Sequence, residues 1–215
     1  MRQFKYIPIL FCLVGSIHLS GQQLPHFSQY MFNDFVLNPA IAGVYDYYQI
    51  RTNHRFQWVG ITDPPLTNSI AFYGPHSSMD MGFGGTVYTD VTGPTSRTGL
   101  SGSYAYNIAI NNDMRLSMGL SLSMLQYRVD GTQLNPKDPS DMFIQGVVST
   151  TYVPDAAIGV YLYGDGFYAG VSTFQLLNNK LKIFDEKTGL NRLKSHMYLT
   201  GGYRYEVDRD WILEP

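Results

Sequence analysis

The feature that most constrains this chain is an alternation of side-chain type through residues 100–125. In the second part, Leu116, Met118, Leu120, Leu122 and Met124 share one face, while Ser117, Gly119, Ser121 and Ser123 share the other. In the first part, Leu100, Tyr104, Tyr106, Ile108 and Ile110 alternate with Ser101, Ser103, Ala105, Asn107 and Ala109. A period of two belongs to a β-strand, and the intervening Asn111-Asn112-Asp113 has turn chemistry, so the segment reads as one long hairpin. Each arm runs about ten residues, longer than the five or six typical of soluble strands and close to the nine to eleven that cross a bilayer obliquely. Large apolar residues opposed to Ser, Gly, Ala and Asn fit a lipid-facing exterior around a small polar lumen. A soluble antiparallel sheet also shows one apolar face, so strand length decides for the barrel.

Further strands are expected at 47–58, 68–73, 81–89, 156–163, 167–174 and 196–205. That makes about eight, with a ninth beginning at Trp211. Residues 111–113, 164–166 and 206–210 make short connections, whereas 130–140 and 176–194 are long and polar. Short turns on one rim and long loops on the other are a barrel habit, with the short turns expected on the periplasmic side. Composition agrees: 17 Tyr, 12 Phe and 21 Gly suit strands with interfacial rings. Beyond the leader, no apolar run reaches the roughly 18 residues of a helical span. A formal charge of −2 with 15% charged residues excludes a basic nucleic-acid surface. The chain stops at Trp211-Ile-Leu-Glu-Pro215 rather than on a full strand with a terminal aromatic. The expected fold is therefore an all-β, antiparallel transmembrane β-barrel of outer-membrane type, incomplete because the chain is C-terminally truncated.

At the other end, Arg2 and Lys5 precede an apolar stretch at 7–14, and the small residues Gly15, Ser16, Ser20 and Gly21 follow. This is the layout of a secretory signal peptide, expected over residues 1–21. Residues 22–46 then read as a periplasmic strap or plug, and 47–215 as the barrel. Cys12, the one cysteine, lies in the leader, so the mature chain has no disulfide, thiolate metal site or Cys nucleophile.

The sequence offers no catalytic or metal constellation. Ser101 sits in a strand and lacks the Gly two residues later that a nucleophile elbow requires. His26, His54, His76 and His196 share no ligand spacing, and the acidic loop with Asp130, Asp138 and Asp141 lacks the EF-hand pattern. Neither an enzyme nor a cofactor is expected. Tyr47, Tyr48, Trp58, Tyr73, Tyr88, Tyr127, Tyr152, Tyr161, Tyr163, Tyr203 and Tyr205 lie near strand ends and are read as an interfacial girdle. Arg51, Arg55, Arg97, Arg128 and Arg204 are expected to face the lumen or a rim, paired with carboxylates.

Particular words in the sequence go further than periodicity. Phe27-Ser-Gln-Tyr-Met-Phe-Asn33 is followed by Leu37-Asn-Pro-Ala40 and Ala42-Gly43, then by Arg55-Phe-Gln-Trp-Val-Gly60. Pro65 with Thr67 and Ser69, Gly93-Pro-Thr95, Thr98-Gly-Leu100 and Ser103-Tyr-Ala-Tyr106 come next in order. With this succession the chain resembles the PorP/SprF family from about Gln23 to its end. The resemblance implies an outer-membrane component of type IX secretion and gliding that supports secretion or surface anchoring of a large cargo. Its implied partners are machinery subunits and a secreted adhesin or its C-terminal domain, beside outer-membrane lipid. A passive porin is the alternative. The motif residues, as structural or partner-binding candidates, are Phe27, Ser28, Gln29, Tyr30, Asn33, Leu37, Asn38, Pro39, Ala40, Gly43, Gln57, Trp58, Gly93 and Pro94.

Overall fold

The computed structural model describes residues 30–133, 148–181, 192–208 and 211–213. Eight antiparallel strands follow one another in a single curled sheet, each paired with its sequence neighbours, giving a half-barrel. They are β1 (Gln49–Phe56), β2 (Leu66–Pro75), β3 (Met81–Thr92), β4 (Thr95–Ala109), β5 (Met114–Asp130), β6 (Val148–Gly164), β7 (Phe167–Phe174) and β8 (His196–Tyr203). A separate pair joins β9 (Tyr205–Asp208) to β10 (Trp211–Leu213). The strand expected from Trp211 therefore pairs with residues just after Arg204 rather than with β8.

Alternation dictates the register of the β4–β5 hairpin. Ser101 faces Ser123, Ser103 faces Ser121, Ala105 faces Gly119 and Asn107 faces Ser117. On the other face Leu100 meets Met124, Gly102 meets Leu122, Tyr104 meets Leu120 and Tyr106 meets Met118. A slip of one residue would mix the two sets, so the pattern fixes the pairing. Asn111 closes the turn by accepting the backbone N–H groups of Asp113 and Met114 on its Oδ1, at 3.0 and 2.7 Å.

The apolar face of the sheet points outward: Leu100, Leu122, Ile70, Phe72, Ile158 and Leu199 are exposed. Ser117, Ser121, Thr67, Ser69 and Asn107 are buried inside. That polarity is inverted relative to a soluble sheet and matches lipid outside a polar lumen. With 15, 17 and 17 residues, β4, β5 and β6 exceed the length a tilted crossing needs.

The short connections at 76–80, 110–113 and 165–166 lie on one rim, with the chain entering β1. Residues 57–65, 131–133, 175–181 and 192–195 lie on the other, joined there by the tight Gly93-Pro94 turn between β3 and β4. We call these the turn rim and the loop rim.

The aromatic residues divide between the two faces. Tyr47, Tyr48, Trp58, Tyr152, Tyr203 and Tyr205 are exposed. Tyr73 and Tyr161 instead are buried in the lumen, and Tyr88 and Tyr163 pack against its apolar clusters. This corrects the girdle expected for all of them. Inward parity along the strand, not nearness to its end, places these four rings. Tyr73, Tyr88 and Tyr161 each oppose a glycine on the next strand, Gly84, Gly99 and Gly170, and Tyr168 opposes Gly202. A ring laid across a cross-strand glycine covers the bare backbone and keeps the lumen wall thin.

Candidate functional site

The lumen is occupied by the chain's own N-terminal strap. Residues before β1 form three short 3-10 turns, Tyr30–Phe32, Asp34–Val36 and Pro39–Gly43. Asn38 is extended at φ −150° and ψ 112°, as a residue before proline prefers, and Pro39 opens the following turn. Asn38 Oδ1 accepts the Ala40 N–H at 3.0 Å, while its Nδ2 donates to the Val160 carbonyl at 3.1 Å. Strap and wall are thereby tied through one side chain.

The wall reciprocates with the polar residues of the alternating pattern. Ser117 Oγ donates to Ala40 O at 2.5 Å, Ser172 Oγ to Leu37 O at 2.5 Å, and Asn107 Nδ2 to Gly43 O at 2.7 Å. Strap carbonyls that would otherwise be buried without partners are thus satisfied. Wall glycines provide the room. A Cβ on Gly119 would stand 2.3 Å from Ala40 N, one on Gly82 2.3 Å from Gly43 Cα, and one on Gly159 2.0 Å from Asn38 Oδ1. No side chain fits there unless the strap moves.

The seated strap builds the main apolar core, in which Phe35, Ala40, Ile41 and Ala42 pack against Ala71, Tyr73, Ala105 and Tyr161. The Phe35 and Tyr73 rings stack with centroids 4.5 Å apart. Asp34 accepts the Tyr45 hydroxyl on Oδ2 and the Phe35 N–H on Oδ1, both at 3.0 Å. Burial raises the Asp34 carboxyl above its ordinary range, against the lowering by these bonds and by the Arg51 charge. Burial and the neighbouring Asp34 carboxylate likewise raise the Tyr45 hydroxyl.

Above the strap, toward the loop rim, lies a cavity of about 110 Å³. Phe35, Leu37 and Pro39 form its floor, and Thr86, Tyr88, Ser101, Ser123, Asp155 and Gln175 belong to its walls. A second apolar cluster of Leu125, Val153 and Leu193 lies beyond it, with Tyr88 and Leu181 packed alongside. A larger space of about 700 Å³ opens between the strap and β6–β8 near the turn rim.

The motif residues separate into two groups. Asn33, Leu37, Asn38, Pro39, Ala40 and Gly43 sit in the strap, with Asn38, Pro39 and Ala40 buried. Gln57 and Trp58 follow β1 at the loop rim, where Trp58 is exposed with φ 51°. Gly93, at φ 53°, and Pro94 form the β3–β4 turn on the same rim. Tyr30 begins the first 3-10 turn, and Phe27, Ser28 and Gln29 lie outside the described residues. The receiving wall, with Gly82, Gly119, Gly159, Asn107, Ser117 and Ser172, was missed at the sequence level. Its signal was the small inward set, read there as lining alone.

Of the arginines, Arg51 donates through Nε and a terminal nitrogen to Gln49 Oε1, at 3.2 and 2.8 Å. Its hydrogen bonds go to a neutral amide, while its charge acts on the nearby Asp34 carboxyl. Arg97 lies over the Tyr127 ring at 5.2 Å, and Arg128 pairs with Asp130 at 3.6 Å. Arg115 and Asp80 join β5 to the β2–β3 connection by an ion pair. Asp130 also accepts from Thr132, whereas Asp138 and Asp141 lie outside the described residues. Among the described residues, no three His, Cys, Asp or Glu side chains converge to hold a metal ion.

Comparison with curated proteins gives no match, and neither does comparison with solved structures. The family described as type IX secretion system membrane protein PorP/SprF matches residues 19–215, which takes in the strap and all ten strands. Outward apolar strands, a small-residue lumen and this match over most of the chain converge on one statement: the protein belongs to the PorP/SprF family of type IX secretion system membrane proteins.

Proposed function

We propose that this protein sits in the outer membrane after removal of a signal peptide and holds a secreted cargo for export or surface anchoring. The cargo is a large surface protein of the adhesin type, engaged through its terminal domain. Other subunits of the secretion and gliding apparatus are the remaining partners. In this reading the turn rim faces the periplasm and the loop rim the exterior. The motif residues have two jobs: the strap group seats the plug, and the loop-rim group meets a partner.

The observation that carries this reading over a passive porin is the strap seated against the lumen wall, beside which a space of about 700 Å³ is left near the turn rim. Pro39, Ala40, Ile41 and Ala42 are all buried against the wall, three wall side chains bond to the strap, and the strap's Asn38 bonds back to the wall. A steady aqueous path is hard to reconcile with such a seat, whereas a component that holds a partner has no need of one. Deleting the gene and cataloguing the surface proteins released by external protease tests the role. The expected result is loss of one large type IX cargo from the surface while other secreted proteins persist; an unchanged catalogue refutes it.

A further inference from the structure

The cavity above the strap is too small for a folded partner and well sized for one side chain: an apolar cavity of about 150 Å³ accommodates benzene, and this one measures about 110 Å³. Hydroxyls of Thr86, Ser103 and Ser123 in its wall can donate or accept, and one lining side chain is ionisable and acidic. Asp155 brings a carboxylate from β6, positioned by the Leu177 N–H on its Oδ1 at 3.2 Å. Gln175 is about nine-tenths buried, and its Oε1 has no hydrogen-bond partner among the described residues. Its backbone stands at φ 58°, a conformation costly for a residue with a side chain, and that placement sets the amide in the cavity wall. Ser121 Oγ lies 3.3 Å from Gly102 O, and in that orientation its lone pairs face away from that carbonyl. Tyr88, Phe174 and Tyr198 supply aromatic rings, the last two edge-to-face at 5.7 Å.

The Asp155 carboxylate, the ring faces and the buried Gln175 amide oxygen left open together favour a cationic donor. Burying that oxygen without a partner is costly, and a guanidinium or ammonium group would satisfy it while offsetting the Asp155 charge. We propose that this cavity is a binding pocket for a single basic side chain, arginine or lysine, carried by a polypeptide that the barrel holds. The partner's identity rests on the function proposed above; the pocket's preference for an alkyl cation does not.

The test uses the full-length protein refolded in detergent and two probes of the same shape, n-butylguanidinium and neutral n-butylurea, titrated by calorimetry. The pocket predicts saturable binding of n-butylguanidinium, at least about tenfold tighter than n-butylurea, and a loss of about tenfold or more in the Asp155→Asn variant. Equal binding of the two probes, no binding of either, or full binding by folded Asp155→Asn overturns the proposal. Because the two probes are compared on the unmutated protein, a folding failure of the variant leaves the result decisive. The titration involves no cargo, so its failure is distinguishable from an unchanged surface catalogue after gene deletion.

Discussion

Asn38 illustrates how one side chain joins two layers: its oxygen shapes the strap by capping Ala40, and its nitrogen holds Val160 of β6. The glycine beneath it, Gly159, is the matching concession from the wall. The same logic at Gly119 gives a paired prediction. Gly119→Ala places a methyl group 2.3 Å from the Ala40 backbone nitrogen, where only movement of the strap relieves the clash, whereas Gly102→Ala meets nothing within 4 Å. Limited proteolysis of refolded protein should therefore clip the strap faster in Gly119→Ala and at the unmutated rate in Gly102→Ala. Asp34 adds a pH dependence. Its folded pKa is raised above the ordinary 3.8 by burial, so the folded chain retains a proton that the unfolded chain has released. Stability then falls as pH rises from the ordinary carboxylate value through the raised one, and levels off above it. Chemical unfolding from about pH 4 to 8 should show that the stability of the native protein, relative to Asp34→Asn, declines across this window.

At the scale of elements, the hairpin of β4 and β5 was legible because its outward positions are mostly large and apolar, its inward ones mostly small or polar, and its turn carries Asn111. The strap's seat was not legible, because 3-10 turns have no apolar period to read and its receiving wall is spread over β3, β4, β5, β6 and β7. Proline explains part of the strap: Pro39 makes Asn38 extended whatever surrounds it. Nothing local announces that Ser117 and Ser172, far along the chain, will take its carbonyls. The tyrosines misled for a related reason. Tyr73 and Tyr161 lie near strand ends, but their parity with Ala71 and Ala157 turns them inward, onto glycines of the neighbouring strand. The faces make a further prediction. Leu120 points outward near the middle of β5, so Leu120→Arg should destabilise the protein in lipid vesicles by about 2–4 kcal/mol, measured by denaturant unfolding. Leu120→Phe should stay near the native value.

For the whole molecule, the inverted polarity of the sheet and the strap seated in the lumen belong together. A barrel with lipid outside has its polar side within, and here that side is used by a segment of the same chain, which buries Ile41 and Phe35 where water would otherwise stand. The loop rim keeps the exposed Trp58 and Val59, while the turn rim receives the strap. The most direct test of this arrangement is conductance of the full-length protein in a planar bilayer, recorded beside the Gly119→Ala variant. The account predicts no steady channel from the native protein and intermittent openings from the variant, whose strap is unseated. A steady, ohmic conductance of the same size from both proteins would contradict it.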